Sequence, residues 1–572
     1  MRANRARHRP GRGRPAAGLV GALLLAGWVP AAAAQPAAPA TVPLVRIAFP
    51  QDEGTLTPYT FDLGYPLLTL VYDTLLWRDQ DGVPQPWLAR SVDVGPDGRR
   101  LTVKLADGAR WQDGPPVTSA DVAFTFRYLA EHPHARFTPP LRVVDGVDTP
   151  DPSTAVVRLS QRSPGFLDQA LADVPILPQH LWAHLPPEAT APAGLAVGSG
   201  PYRLVDHQPG VRYRLAADPT YFRGRPAVDT IEVDVIDSAE STFEALERGA
   251  VDMVPVALSP DDAARLEDAG ATVTRGASYA GIALLMNLRL SPFDRPGVRA
   301  AVSQALDLTR VRRAVGGGAA ADRGYVHPSS PWAPPAVLHR FDPAAATPVL
   351  AGTVPAGQEL PVLVADNDPA QLTAAHEVAG ELSAAGLASA VQRVRPADLS
   401  KALGQDGSTP TFGLAVGPVP ALVSYDPDAL HRLFGADPRD RASNVTGYTS
   451  PAFEAAAARV ATAASPGDRA AATVDELTAL ARDAPAVPLV FPDGAFAFRP
   501  HAYDGWVDVK GSGILDKRSF VEPARPAPPP ARPAATSAVV AQGGSGGPPY
   551  GGLALGTFGL AAVLAAFGLR RR

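Results

Sequence analysis

Few side chains in this chain stand at a spacing that does chemistry. His180 and His184 lie four residues apart, which on a helix sets two imidazoles on one face where they could share a metal ion. No third ligand stands nearby in the sequence, so metal binding is not expected there. Glu131-His132-Pro133-His134 brings further donors together, but the proline breaks any helix that would align them. Gly543 to Gly547 satisfies the G-x-S-x-G pattern of serine hydrolases, yet low-complexity sequence surrounds it, with neither a strand before nor a helix after. The chain has no H-E-x-x-H, no Walker loop, no dinucleotide fingerprint and no motif that pairs a nucleophile with a base. Its 572 residues include no cysteine, which excludes disulfides, thiolate metal sites, a cysteine nucleophile and lipid attachment through an N-terminal cysteine. No catalytic residue, metal or cofactor is therefore assigned.

The elements that would have to carry any site are clearest between Leu101 and Glu131. Leu101, Val103 and Leu105 alternate with polar residues as a half-buried strand does. Asp107-Gly108 and Asp113-Gly114-Pro115-Pro116 supply turns. Thr118 and Asp121 then hold the spacing of a helix N-terminus, and Val122, Phe126, Leu129 and Ala130 fall on one helical face. Further on, Ser241 and Glu244 make a capping box, and Val298, Val302, Ala305, Leu308, Val311 and Val315 form one stripe that ends at Gly316-Gly317-Gly318. A helix from about Leu372 to Ala385, between strands at Leu360 to Val364 and Ala390 to Val394, reads as a β-α-β unit. Ser450 and Pro451 open a helix lined by Phe453, Ala457 and Val460.

The length favours two or more lobes, and a hydrophobic content of 46% can fill a large core. Six arginines between Arg2 and Arg14, an apolar run from Ala16 to Trp28 and Ala32-Ala33-Ala34 read as a signal peptide, residues 1–34. At the other end, Gly551 to Leu569 is an uncharged apolar run closed by Arg570, Arg571 and Arg572, long enough to cross a bilayer with its arginines on the cytoplasmic side. Residues 523–550 form a Pro/Gly-rich spacer without apolar periodicity. Residues 1–42 and 523–572 hold 11 of the 52 cations and no acid, which leaves 41 cations against 57 acids in the body, a net charge of −16. An acidic body argues against nucleic-acid binding.

The wording LTVKLADGARWQDGPPVTSADVAFTF resembles the signature of the extracellular solute-binding proteins of the peptide/nickel type, family 5, the ligand-capturing subunits of ABC importers. Val71-Tyr72-Asp73-Thr74-Leu75-Leu76, Pro86-Trp87-Leu88-Ala89, Pro175 to Trp182, the Gly198-Ser199-Gly200-Pro201-Tyr202 turn, and Asn287 with Pro292-Phe293-Asp294 are similar to further segments of that family. The resemblance covers about Val45 to Val521 and is weakest between Pro331 and Gln405. It implies an α/β fold of the two-lobed periplasmic-binding-protein kind, type II, with an extra subdomain in the first lobe. Lobe I is expected over 44–281 with its insert at about 76–196, lobe II over 282–487, a return to lobe I over 488–522, and a transmembrane helix over 551–569.

By resemblance, the ligand would lie between the lobes, near the Thr55-Leu56-Thr57 turn and Tyr59, Asn287, Gly417, Ser424, Tyr425 and Asp426. Peptide-binding relatives commonly keep an Asp for the peptide's free amine just before an aromatic-x-D/E-P segment; here Ser424 stands at that position and Asp426 is the nearest acid. The implied function is capture of a small solute, an oligopeptide or dipeptide foremost, and delivery to ABC permease subunits, by a monomer held on the outer face of the membrane by its C-terminal helix. A cell-envelope hydrolase or a ligand-sensing surface receptor on the same fold is the alternative.

Overall fold

The computed structural model describes residues 41–61, 64–185, 196–255, 258, 260–355 and 357–523. The expected signal peptide and transmembrane helix, and the expected spacer beyond Pro523, lie outside these residues. No helix among the described residues is long and apolar enough to cross a membrane.

Two sheets divide the body. The first has seven strands in the order Thr272–Gly276, Gly494–Phe498, Met253–Val254, Val45–Phe49, Thr230–Val235, Arg212–Ala217 and Tyr202–Gln208. The second has six, in the order Ala319–Ala320, Ala486–Phe491, Gly281–Met286, Leu414–Val419, Leu360–Ala365 and Ser389–Val394. Val45–Phe49 runs parallel to Thr230–Val235, with Ile47 opposite Val233, while Gly281–Met286 is antiparallel to both its neighbours. The chain leaves the first sheet after Gly276, enters the second at Gly281, and returns between Phe491 and Gly494. Residues 488–491, expected with the return to lobe I, thus pair inside the second sheet. Ala486–Phe491 is apolar because neighbours cover it, and an apolar run does not say which sheet does the covering.

A third sheet, Ala89–Val94, Arg100–Leu105, Thr154–Leu159 and Val144–Asp151, belongs to the insert. Its strand Arg100–Leu105 alternates as expected, with Leu101, Val103 and Leu105 buried. The helix Ser119–Glu131 begins at the expected cap, where the Thr118 backbone N–H donates to the Asp121 carboxylate at 2.8 Å. Ala130 is exposed, and Phe124 and Tyr128 join Val122, Phe126 and Leu129 in the core.

Two helix boundaries differ from expectation because a side chain caps earlier than the apolar pattern shows. The stripe from Val298 to Val315 is two helices, Pro296–Ala305 and Leu308–Ala314, since the Asp307 carboxylate accepts from the N–H groups of Thr309 and Arg310 and starts the second. The helix expected from Ser241 is Ala239–Glu247, capped by Ser238. The helices Pro369–Ala384 and Pro451–Thr462 lie where expected.

Candidate functional site

A cleft opens where the two lobes face each other. It encloses up to about 1220 Å³ outside the protein atoms, including the part open to solvent. The first lobe contributes Tyr65 from the helix Tyr65–Val71, Trp77 and Arg78 from the short strand Leu76–Arg78, Phe496 from Gly494–Phe498, and the loop from Val509 to Asp516. The second lobe contributes Pro420, Ala421, Leu422 and Tyr425, the last from the short helix Leu422–Tyr425. Tyr425 closes the gap: its hydroxyl donates to the Lys510 carbonyl at 2.8 Å and lies 2.7 Å from the Ser512 hydroxyl. Gly511 allows this approach, since at φ +88° a Cβ there would meet the Tyr425 hydroxyl at 2.7 Å and the Tyr279 ring at 2.6 Å.

The ionisable groups of the wall are Arg78, Arg136, Asp173 and Asp516, with the phenols of Tyr65 and Tyr425. Arg136 forks onto Asp173 with bonds of 2.9 and 2.7 Å and lies 3.9 Å over the Tyr65 ring. Asp516 accepts from the Trp77 indole at 3.0 Å and the Arg518 N–H at 2.8 Å, and its burial pushes its carboxyl up from the usual range. Arg78 lies 4.3 Å over the Tyr425 ring, across the lobe boundary.

Of the residues expected at the ligand, Tyr425 alone lies on the cleft wall. Thr57 is buried, with its N–H donating to the Thr60 hydroxyl, and Leu56 is buried at φ +51°. Thr55 keeps a buried hydroxyl without a partner. The Tyr59 hydroxyl donates to the His132 carbonyl at 2.6 Å inside an aromatic group with Tyr128 and Trp182. Asn287 is fully buried and donates to the Phe412 carbonyl, and Gly417 pairs with Ala283 in the second sheet. The Ser424 hydroxyl accepts from the His327 N–H at 2.9 Å beneath the wall. His180 meets Asp113 at 2.7 Å rather than His184.

Asp426 is also beneath the wall, with no exposed surface. Its Oδ1 accepts from Arg469 Nη2 at 2.7 Å and from Gln169 Nε2 at 2.8 Å, and the Gln169 carbonyl accepts from Arg432 Nη2 at 2.6 Å. Gln169 belongs to the insert, in the turn of π-helix Leu167–Leu171, so this cluster joins the lobes. Gly165 lies against it, and a Cβ there would meet Asp428 Oδ2 at 2.4 Å and Asp426 Oδ1 at 2.9 Å. Burial pushes Asp428 up to about 6, with Asp426 adding to the shift, and pushes Glu476 well above its ordinary value.

Tyr65, Trp77, Arg78 and the 509–516 loop were not among the expected ligand residues. Nothing in the sequence marks Arg78, which follows a segment from Val71 to Trp77 that itself holds Asp73 and Thr74.

Known proteins agree with this architecture. The substrate-binding protein CtaP of Listeria monocytogenes superposes with a TM-score of 0.73 at 21% identity, covering 84% of this chain and 99% of that one. The oligopeptide-binding protein AppA of Bacillus subtilis, solved with a nonapeptide, gives 0.70 at 19% identity over 81% and 96%. In sequence, a Brucella ovis protein named as an ABC transporter peptide-binding protein is 28% identical over 306 residues, 52% of this chain and 57% of that protein, so the match spans little more than half of its length. Residues 83–437 match the family described as bacterial extracellular solute-binding proteins, family 5 Middle. With its two lobes, its insert and that match over more than half of its length, the chain belongs to the bacterial extracellular solute-binding proteins of family 5.

Proposed function

We propose that this protein is the extracytoplasmic capture subunit of an ABC importer, which encloses a small solute, with an oligopeptide or dipeptide as the leading class, and presents it to a membrane permease. The observation that carries the reading is the cleft walled by both lobes, with Trp77 and Arg78 on one side and Leu422 and Tyr425 on the other. A ligand touching both walls makes more contacts when the lobes are together, and that difference in affinity drives closure. The chain crosses between sheets at 277–280 and 492–493, and these two crossings are the hinge of the motion. The cleft requires no bond-breaking group, which fits delivery of the solute unchanged. The apolar run 551–569, beyond the spacer 523–550, would tether the body to the outer face of the membrane.

The test is ligand recovered from the protein purified from an envelope fraction, identified by mass spectrometry and added back. A cognate solute raises the melting temperature by mass action and compacts the particle in X-ray scattering. Turnover of that solute by the purified protein would overturn the capture reading.

A further inference from the structure

Short apolar segments from both lobes meet at the cleft. Trp77 precedes Arg78, Pro420-Ala421-Leu422 follows the strand Leu414–Val419, and Phe496 and Leu515 complete the first-lobe side. Pro66, Pro255 and Pro420 also line the wall and bring no N–H that a solute could meet.

The charges of the wall are paired within the protein. Arg136 forks onto Asp173 at 2.9 and 2.7 Å. Arg78 lies 3.5 Å from the Asp168 carboxylate, and its Nη2 donates to the Asp168 carbonyl at 3.1 Å. Asp516 accepts from the Trp77 indole and the Arg518 N–H, and burial pushes its carboxyl up against the pull of Lys517 and Arg518. Beneath the wall Asp426 is tied to Arg469, and Ser424 to the His327 N–H. Three rings of the wall already carry cations as well: Arg136 lies 3.9 Å over Tyr65, Arg78 4.3 Å over Tyr425 and Lys517 4.2 Å over Trp77. A second cation brought to these rings would face the charge of the first.

A charged end of a solute entering this cleft therefore loses its water and, among the described residues of the wall, meets no opposite charge that is not already paired. That transfer is costly for an ammonium or a carboxylate and far less so for an amide, while apolar side chains gain by it. Resting on the capture reading, we propose that the cleft selects uncharged, apolar peptide-like solutes, whose ends are either blocked or joined in a ring. Trp77, Phe496 and Leu515 receive their side chains from the first lobe and Leu422 from the second.

The experiment is calorimetric titration of the purified full chain with two pairs of probes: the tripeptide Leu-Phe-Leu against its N-acetyl amide, and the dipeptide Leu-Phe against its cyclic form. The expected result is that an uncharged probe binds at least about tenfold more tightly than its charged counterpart, equivalent to about 1.4 kcal/mol. Preference in the first pair identifies an end-blocked solute, and preference in the second a ring. A difference below tenfold in both pairs, tighter binding of a charged member, or no binding of either uncharged probe at millimolar concentration overturns the proposal. In Leu422→Asp, which sets an unpaired acid on the wall, the free tripeptide is expected to gain at least about tenfold relative to its N-acetyl amide; an unchanged ratio overturns the argument from paired charges. Should that variant fail to fold, the probe pairs on the wild type decide. A co-purifying solute with a charged end also overturns the proposal while leaving the capture reading intact, whereas a purified protein that destroys its solute removes the capture reading itself.

Discussion

Lys517 and Asp73 are buried inside the first lobe, whereas Asp426 and Arg469 are buried where the lobes meet. Around the first pair the carboxylate is satisfied on both oxygens: Asp73 accepts from Lys517, the Trp87 indole, the Tyr221 hydroxyl and the Ser199 hydroxyl, and the ammonium lies 4.2 Å over the Trp77 ring. Around the second, Asp426 Oδ2, Arg432 Nη1, Arg469 Nε and both oxygens of Glu476 are buried without a hydrogen-bond partner in the structure. A satisfied network fixes one arrangement, and a half-satisfied one in a low dielectric is costly to keep dry. The first is a rivet; the second is a seam that separation of the lobes would rehydrate.

The strongest way to break this comparison is Lys517→Met. Asp73 would be left charged, buried and without its cation, at a cost of about 3–5 kcal/mol, read as a lower urea midpoint. Replacing both partners, Asp73→Leu with Lys517→Met, is expected to recover much of the loss; equal losses in the single and double variants would mean that Lys517 acts by packing alone. Arg469→Met at the seam is expected to cost less, about 2 kcal/mol at pH 8, and less still at pH 5. The sign follows from Asp428: its carboxyl is pushed up to about 6, so at pH 5 it is mostly protonated and no longer needs the cation. A loss that does not change between pH 8 and 5 would place Arg469 among the rivets.

Gln169→Leu removes the two hydrogen bonds that Gln169 itself makes across the seam, to Asp426 and Arg432. It should leave the urea midpoint of the body nearly unchanged, enlarge the ligand-free particle in scattering, and weaken solute binding about tenfold, or roughly 1.4 kcal/mol. In the wild type the same seam makes closure depend on pH. Asp168 and Asp428 are held up to about 7 and about 6 by burial at the seam, so the closed form keeps protons that an opened, hydrated form releases. Closure is then favoured at pH 5 and weakens as pH rises through 6 and 7, a trend that scattering at fixed ligand would follow. The smallest effect is expected for Arg142→Ala, which loses the partly exposed bond to Asp440 at 2.8 Å across the lobes. It is worth under about 1 kcal/mol and fades in high salt.

Local chemistry was legible in the sequence and long-range chemistry was not. Thr118 with Asp121 announces its helix because cap and helix are neighbours in the chain. Asp307 hides in an unbroken apolar stripe, and only the bonds it accepts reveal the break. In the cleft, Tyr425 stood out through its segment wording, whereas Arg78 becomes visible only when residues 78, 168 and 425 meet. Asp426 looked available for an amine because its partner Arg469 lies on a different helix, Pro466–Asp483.

The order of strands in the first sheet carries a further consequence, for the birth of the protein rather than its use. Gly494–Phe498 lies between Thr272–Gly276 and Met253–Val254, and Lys517 completes a bond with residue 73. A growing chain therefore makes all of the second sheet, residues 281 to 491, before the first can be finished. Until the last strand arrives, Val254 and Thr272 border an empty slot whose backbone groups could pair with another extended chain. Contacts so distant in sequence also form slowly. Folding that waits until residues 494–498 have been made shortens the time that slot stays open.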